Sequence, residues 1–163
     1  MHASNSIINF VDIMQSEFQY LYEKARHFCD YQERSIGEVK EKMVSWSARP
    51  AVIEQVILQL ERENYLNEDR FVRAYALGKL RNNKWGRNKI MLGLRQKGVP
   101  DLIIQIGLQE IEGDEYVQVL KEVLSAKKVD ETDLFKKNAK LAAYAIQKGF
   151  QPSLVWEILQ GKQ

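Results

Sequence analysis

The chain has 163 residues, of which 45% are hydrophobic and 28% are charged, and its formal net charge is +2. This composition is ordinary for a folded protein and leaves room for one domain or a few small modules. No apolar run approaches the roughly 20 residues that a membrane helix needs, and the N-terminus lacks the pattern of a signal peptide. A single cysteine, Cys29, excludes an internal disulfide, so we expect a cytoplasmic protein.

Helical periodicity runs through the chain, and no window shows sustained strand alternation. Residues 1–15 are weakly patterned and are treated as an N-terminal extension. Beyond them, Ser35 and Glu38 form a predicted capping box, and Asn67 is a predicted N-cap. The nine helices predicted in this way begin near residue 16, at Ser35, at Pro50, at Asn67, near Gly86, at Pro100, near Asp114, after Thr132 and at Pro152.

Three prolines, Pro50, Pro100 and Pro152, divide the chain at intervals of 50 and 52 residues. Eleven of the twelve residues found two, three, six and seven positions after them are apolar, and these positions line one helical face. Each proline is therefore expected to open a short helix with this face buried. Gly98 and Gly149 are expected to end the preceding helices in a left-handed conformation. The twelve residues are Val52, Ile53, Val56, Ile57, Leu102, Ile103, Ile106, Gly107, Leu154, Val155, Ile158 and Leu159.

This repeat predicts an all-α fold of three tandem three-helix repeats, each of about 50 residues, that form an elongated, curved array. The predicted boundaries are residues 16–66 for repeat 1, 67–112 for repeat 2 and 113–163 for repeat 3. Since no exposed zipper pattern is present, the array is expected to be monomeric. In repeat 3 the residues predicted to point inward are Tyr116, Leu120, Val123, Leu124, Leu134, Leu141, Ala142, Ala145 and Ile146.

Charge is segregated within repeat 2. Nine of the residues from 70 to 97 are Lys or Arg, and no Asp or Glu occurs between residues 70 and 100. Such a surface fits nucleic-acid phosphate or an acidic protein face, although solvated basic residues on the outside of helices give the same pattern. Trp85, within this segment, is either a stacking or interface residue or a residue that fixes its helix to the core. The candidate partner-binding residues are Arg70, Arg73, Lys79, Arg81, Lys84, Trp85, Arg87, Lys89, Arg95 and Lys97.

No residue pattern indicates catalysis, so we expect neither an enzyme nor a bound cofactor or metal. His27 lies off the apolar stripe of its helix and Cys29 lies on it, so the two do not share a face. Gly86, Gly93 and Gly98 follow no strand and lack the spacing of a phosphate-binding loop. Gly86 is expected either to let two helices approach closely or to act as a hinge.

Three segments resemble the RecX family of regulatory proteins. They are Asn64–Phe71, then Lys84–Ile90 with Leu94–Val99, and finally Lys148–Phe150. Their order over about residues 18 to 160 is similar to the order of the family's modules. The sequence departs from the family pattern at Val72, where the family usually has Ala, and at Lys89, where it commonly has Arg.

The resemblance implies a non-enzymatic regulator that binds RecA filaments on DNA and mostly inhibits their recombinase, ATPase and coprotease activities in DNA repair and the SOS response. Weak binding to single- or double-stranded DNA is left open. The alternative function is a stand-alone nucleic-acid-binding helical module that acts without RecA. A third interpretation is a helical scaffold for some other acidic protein.

Overall fold

The computed structural model describes residues 2–111 and 113–161, with side chains for all of these except residues 2–6 and 8. Residues 1, 112, 162 and 163, which the predicted extension and repeats include, lie outside the described residues. Every regular element in the described part is helical, which confirms the all-α prediction. None of these helices is both long enough and apolar enough to cross a membrane.

The described helices follow one another as three triplets, which confirms the predicted three-helix repeats, while the exact repeat boundaries stay a prediction. By its internal contacts the chain forms two compact units, Met1–Phe71 and Val72–Gln163, and the boundary falls inside the fourth helix. The elements are α1 (His2–Tyr31), α2 (Ile36–Ser45), α3 (Pro50–Arg62), α4 (Glu68–Asn83), α5 (Arg87–Gln96), α6 (Asp101–Leu108) with a 3-10 turn at Gln109–Ile111, α7 (Asp114–Ala126), α8 (Leu134–Gln147) and α9 (Pro152–Leu159).

The first unit packs α1, α2 and α3 around one apolar core. The predicted capping box is confirmed, because Glu38 N donates to Ser35 Oγ at 3.0 Å and Ser35 N donates to Glu38 Oε2 at 2.9 Å. Pro50 occupies the first turn of α3, and the whole apolar face predicted after it is buried. The core consists of Leu21, Tyr22, Ala25, Cys29, Val39, Met43, Val52, Ile53, Val56, Ile57, Leu60 and Leu66.

Helix α1 is longer than the sequence predicted. It runs for 30 residues, from His2 to Tyr31, and includes the segment that we expected to be a weakly patterned extension. Phe10 and Ile13 are exposed, and the side chains that pack against the core begin at Met14. The first part of the helix therefore continues the hydrogen-bonded ladder of the second part, and its large apolar side chains that the structure describes, Ile7, Phe10, Val11 and Ile13, are exposed.

The second unit contains α4 from Val72 onward and the five helices that follow it. Gly98 and Gly149 have φ angles of 77° and 101°, which confirms that both end a helix in a left-handed conformation. Each helix of this unit contributes apolar side chains to the interior. The buried residues include Val72, Leu80, Ile90, Leu94, Ile104, Leu108, Tyr116, Leu120, Ala145, Phe150 and Val155.

The predicted buried face of α6 is wrong at Leu102 and Ile106, while Gly107 is buried as predicted and Ile103 is half-buried. Leu102 is 73% exposed and Ile106 is also exposed, whereas Ile104, Gly107 and Leu108 are buried. Pro100 is the N-cap of this helix and not its first helical residue, so the helix starts one residue later than expected. Because the helix starts later, different residues of the sequence lie on its buried face.

Two residues of α8 that were predicted to point inward are exposed. Leu134 is the first residue of the helix, next to its N-cap Asp133, and 70% of its surface is accessible. Ile146 follows the buried Ala145 and is rotated about 100° from it around the helix axis, toward solvent. The remaining inward predictions for α7 and α8 are confirmed.

Candidate partner-binding surface

The connection between α4 and α5 fixes the position of Trp85. Lys84 N donates to Leu80 O and Trp85 N donates to Lys79 O, both at 3.1 Å. Lys84 has a φ of 56°, so a lysine occupies the left-handed position that glycine usually takes at a helix end. The cost of this conformation is about 1 kcal/mol. As a result the chain turns back, and the indole of Trp85 lies beside the last turns of α4.

Gly86 lies where α5 meets the segment that joins α8 to α9. Gly86 N donates to Lys148 O at 2.8 Å, and Asn88 N donates to Gly149 O at 2.9 Å. A Cβ atom at position 86 would overlap the backbone of Gly149 and Phe150. Of the two roles expected for Gly86, the structure therefore has close approach. Two backbone carbonyls and the hydroxyl of Tyr116, which accepts from Arg87 N, satisfy the N–H groups at the start of α5.

Trp85 is half-buried and holds two lysine ammonium groups. Lys79 Nζ lies 4.7 Å from the centroid of the indole ring, and Lys89 Nζ lies 4.6 Å from it. These three residues, Lys79, Trp85 and Lys89, form what we call the Trp85 cluster. Among the described residues, no carboxylate lies within ion-pair distance of either lysine, so both ammonium groups remain available to an anion.

Tyr75 extends this surface along α4. Its ring lies 5.4 Å from Lys79 Nζ and 5.9 Å from Lys97 Nζ. A Cβ atom at Gly93 would overlap the Tyr75 hydroxyl, so the glycine lets α5 accept this ring. Tyr75 is not among the candidates predicted from the sequence, although its position four residues before Lys79 on one helix places both on the same face.

Four other candidate residues already have acidic partners within the second unit. Arg81 makes a two-pronged ion pair with Glu115, at 2.7 and 3.1 Å. Lys84 pairs with Glu122 at 2.7 Å, and Arg95 pairs with Asp101 at 2.9 Å. Arg73 pairs with Glu110. The acidic residues that follow the basic segment in sequence thus fold back onto it, and these four cations are partly neutralised.

These ion pairs lower the pKa values of their carboxyl groups, which keeps the pairs charged. The Arg81 hydrogen bonds lower the pKa of Glu115, and the Lys84 hydrogen bond lowers the pKa of Glu122. The Arg95 hydrogen bond lowers the pKa of Asp101 in the same way. All three carboxylates are therefore ionised at neutral pH. They also stay ionised to a lower pH than ordinary carboxyl groups do.

Arg70 and Arg87 have local structural partners. Arg70 lies in the first unit, where Nε contacts Glu33 Oε1 at 2.9 Å and the guanidinium donates to the side-chain and backbone oxygens of Asn64 at 2.7 and 2.8 Å. Arg87 donates to Gln105 Oε1 at 2.8 Å, and its backbone N donates to the buried Tyr116 hydroxyl. Arg70 belongs to the first unit, and its part in binding a partner stays a prediction.

The described residues contain no group of three or more His, Cys, Asp or Glu side chains arranged for a metal ion. Burial raises the pKa of the Cys29 thiol to about 11, so this cysteine is protonated at neutral pH. His27 is exposed on α1. The chemistry that the second unit offers is the binding of anions by ammonium groups held on aromatic rings.

A family model described as RecX, second three-helix domain, matches residues 67–108. A protein of Clostridium acetobutylicum named regulatory protein RecX is 29% identical over 94% of this chain and 74% of its own length. A protein of the same name from Serratia proteamaculans is 37% identical over 62% of this chain and 60% of its own length. This chain spans about half the length of several other relatives of that name.

A solved structure has the same fold. The crystal structure of RecX from Lactobacillus salivarius superposes with a TM-score of 0.79, over 90% of this chain and 97% of that one, at 21% sequence identity. The agreement in fold extends well beyond the segment matched by the family model.

Proposed function

The chain belongs to the RecX family of regulatory proteins, and we propose that it binds RecA filaments on DNA and mostly inhibits their recombinase, ATPase and coprotease activities. This activity would serve DNA repair and the SOS response. We propose further that the protein acts in the cytoplasm as a monomer, by binding alone and without a catalytic step or cofactor. The name shared by the relatives, regulatory protein, supports a binding role.

The observation that carries this proposal is the Trp85 cluster. Lys79 and Lys89 converge on one indole ring with no carboxylate partner among the described residues, although acidic side chains neutralise Arg81, Lys84 and Arg95 nearby. A filament of protein on DNA presents both acidic side chains and phosphates, and long-range attraction would steer it to such a surface. We therefore assign first contact to the cluster, together with Tyr75 and Lys97, and a lesser part to the ion-paired candidates.

The test is a titration of the protein into RecA, ATP and single-stranded DNA while ATP hydrolysis is followed. Inhibition far below RecA stoichiometry is the expected result and would mean that growth of the filament is blocked. Inhibition only near equal amounts would mean that the protein coats the filament or competes for DNA. Unchanged hydrolysis at every ratio, with filaments present, would contradict the proposal.

The second candidate function is a helical module that binds nucleic acid without RecA. The combination of an indole ring with two lysines favours it, because single-stranded nucleic acid is bound by aromatic rings and basic groups together. Tight binding to bare DNA, combined with no effect on RecA, would favour this function over the first.

A further inference from the structure

Each helix triplet contains an aromatic ring that holds two lysines, and the second triplet contains two such rings, Trp85 and Tyr75, which share Lys79. In the first, Lys24 Nζ and Lys42 Nζ lie 4.4 and 5.9 Å from a ring centroid of Trp46. The second is the Trp85 cluster. In the third, Lys127 Nζ and Lys148 Nζ lie 4.5 and 5.8 Å from the ring centroid of Tyr144. We call the first and third the Trp46 cluster and the Tyr144 cluster.

The three clusters are built from equivalent helices. In each triplet one lysine lies on the first helix or directly after it, and the other lies on the second helix or directly after it. These are Lys24 on α1 and Lys42 on α2, Lys79 on α4 and Lys89 on α5, and Lys127 after α7 and Lys148 after α8. The rings come from different positions, since Trp46 directly follows α2, Trp85 lies between α4 and α5, and Tyr144 lies within α8. The arrangement therefore recurs in every triplet and is not confined to the basic segment, which is why the charge pattern revealed only the middle cluster.

The six lysines share a second property. Among the described residues none of the six lies within ion-pair distance of a carboxylate, whereas cations such as Arg49, Arg81 and Arg95 each have one. Two ammonium groups on one ring repel each other, and the ring offsets only part of that repulsion. Because the lysines of each cluster lack an acidic partner, binding of an anion would lower the repulsion between them.

We propose that each cluster binds a phosphate of single-stranded DNA, so that every helix triplet supplies one backbone contact. A site that recurs with the structural repeat suits a partner that is itself a repeat of anions, and a phosphodiester chain is such a partner. The rings of Trp46, Trp85 and Tyr144 are half-buried, so part of each remains accessible to an unpaired base. This inference deepens the proposed function and rests on it for the source of the strand, which is the DNA inside the filament.

The three clusters are not equal. Lys148 Nζ also donates to Asn83 O at 3.2 Å, and Lys127 and Lys148 each follow the C-terminus of a helix, whose negative end attracts them. The Tyr144 cluster further lines a cavity of about 340 Å³ that the acidic residue Glu122 also lines. We therefore expect the weakest phosphate contact at this cluster and the strongest at the Trp85 cluster.

The experiment measures the affinity of the full chain for a fluorescent oligothymidylate, without RecA, at several salt concentrations. The variants are Lys24→Gln with Lys42→Gln, Lys79→Gln with Lys89→Gln, and Lys127→Gln with Lys148→Gln. Each lost phosphate contact is expected to reduce the salt slope by about 0.7 and to weaken binding about fivefold near 0.1 M salt. Lys136→Gln with Lys137→Gln is the matched control, because it removes the same charge from exposed lysines that lie on no ring.

Equal losses in the control and in the paired variants would overturn the inference, because net charge alone would then explain binding. So would unchanged affinity in the paired variants, or equal affinity for a duplex of the same length. Lys79→Arg with Lys89→Arg, which keeps both charges, is expected to retain binding and guards against a loss caused by misfolding.

Different results would contradict the binding of DNA phosphate by the clusters and the proposed function. Paired variants that lose RecA inhibition but keep their affinity for bare oligonucleotide would assign the clusters to protein and overturn the inference alone. Paired variants that lose oligonucleotide affinity, in a chain that leaves RecA unaffected, would support the inference and contradict the proposed function.

Discussion

At the scale of single residues, two glycines of the second unit differ sharply in what surrounds them. A Cβ atom at Gly86 would overlap the backbone of Gly149 and Phe150, whereas no heavy atom lies within 4 Å of a Cβ atom at Gly78. Gly86→Ala is expected to lower the free energy of unfolding by about 1–3 kcal/mol, because the α8–α9 connection must move. Gly78→Ala, inside α4, is expected to raise it by about 0.5–1 kcal/mol. Urea unfolding of both variants checks this, and equal effects would contradict the close contact at Gly86.

Glu68 makes stability depend on pH. Burial raises the pKa of its carboxyl group above the usual 4.5, although the backbone N–H of Ile36 donates to it at 3.3 Å. Because the folded-state pKa is raised, the charged carboxylate costs stability above that pKa, and the cost disappears as the pH falls to 4.5 and below. Glu68→Gln is therefore expected to raise the free energy of unfolding at pH 7, with the gain shrinking toward pH 4.

Chemical denaturation at both pH values measures this gain. Glu157→Gln, on the exposed side of α9, is the control and is expected to have little effect at pH 7. A gain at Glu68 that stays constant from pH 7 to pH 4 would show that the carboxyl charge is not its cause.

The sequence identified the basic candidates by charge but not their partners. Arg81 and Glu115 are 34 residues apart, and Lys84 and Glu122 are 38 residues apart, so only the folded chain brings them together. Tyr75 was not among the candidates for a different reason, because aromatic residues on a helix face usually belong to the core. Trp85, for which the sequence left two roles open, is half-buried and holds two lysines as well.

At the scale of helices, α1 is longer than the part of it that packs on the core. Its side chains pack on the core from Met14 onward, while Ile7, Phe10 and Ile13 are exposed. Removal of residues 2–13 is expected to reduce the helical circular dichroism signal and to leave the urea midpoint nearly unchanged. A matched loss of residues 14–25, which include buried Leu21, Tyr22 and Ala25, is expected to unfold the first unit. A large drop in midpoint after the first truncation would mean that the segment stabilises the core.

Helix starts were predictable because they depend on local chemistry. Ser35 with Glu38 and the proline of α3 determine hydrogen bonds and backbone angles within a few residues. The buried face of α6 was predicted wrongly because Pro100 can precede a helix or lie inside its first turn, and the two positions expose different faces. Tertiary packing selects between them, and a local pattern contains no information about it.

At the scale of the whole molecule, the net charge is small, but the arginines and the lysines of the basic segment differ in their partners. Most arginines of the basic segment are tied to carboxylates or amides within their own unit, whereas Lys79 and Lys89, on the ring of Trp85, have no carboxylate within ion-pair distance among the described residues. The family resemblance indicates the kind of partner, and the choice of these two lysines as its contacts is a proposal. We propose that the Trp85 cluster is the part of the second unit through which the protein acts on RecA filaments.

The most direct test compares inhibition of RecA ATP hydrolysis by the wild-type chain, by Lys79→Glu with Lys89→Glu, and by Lys136→Glu with Lys137→Glu. All three are assayed on the same single-stranded DNA after circular dichroism has shown equal folding. We predict that reversal at the Trp85 cluster raises the concentration needed for half inhibition about tenfold or more, since two attractive contacts become repulsive. The control is predicted to inhibit like the wild type. Equal inhibition by all three proteins would contradict a role for the Trp85 cluster in the action on RecA filaments.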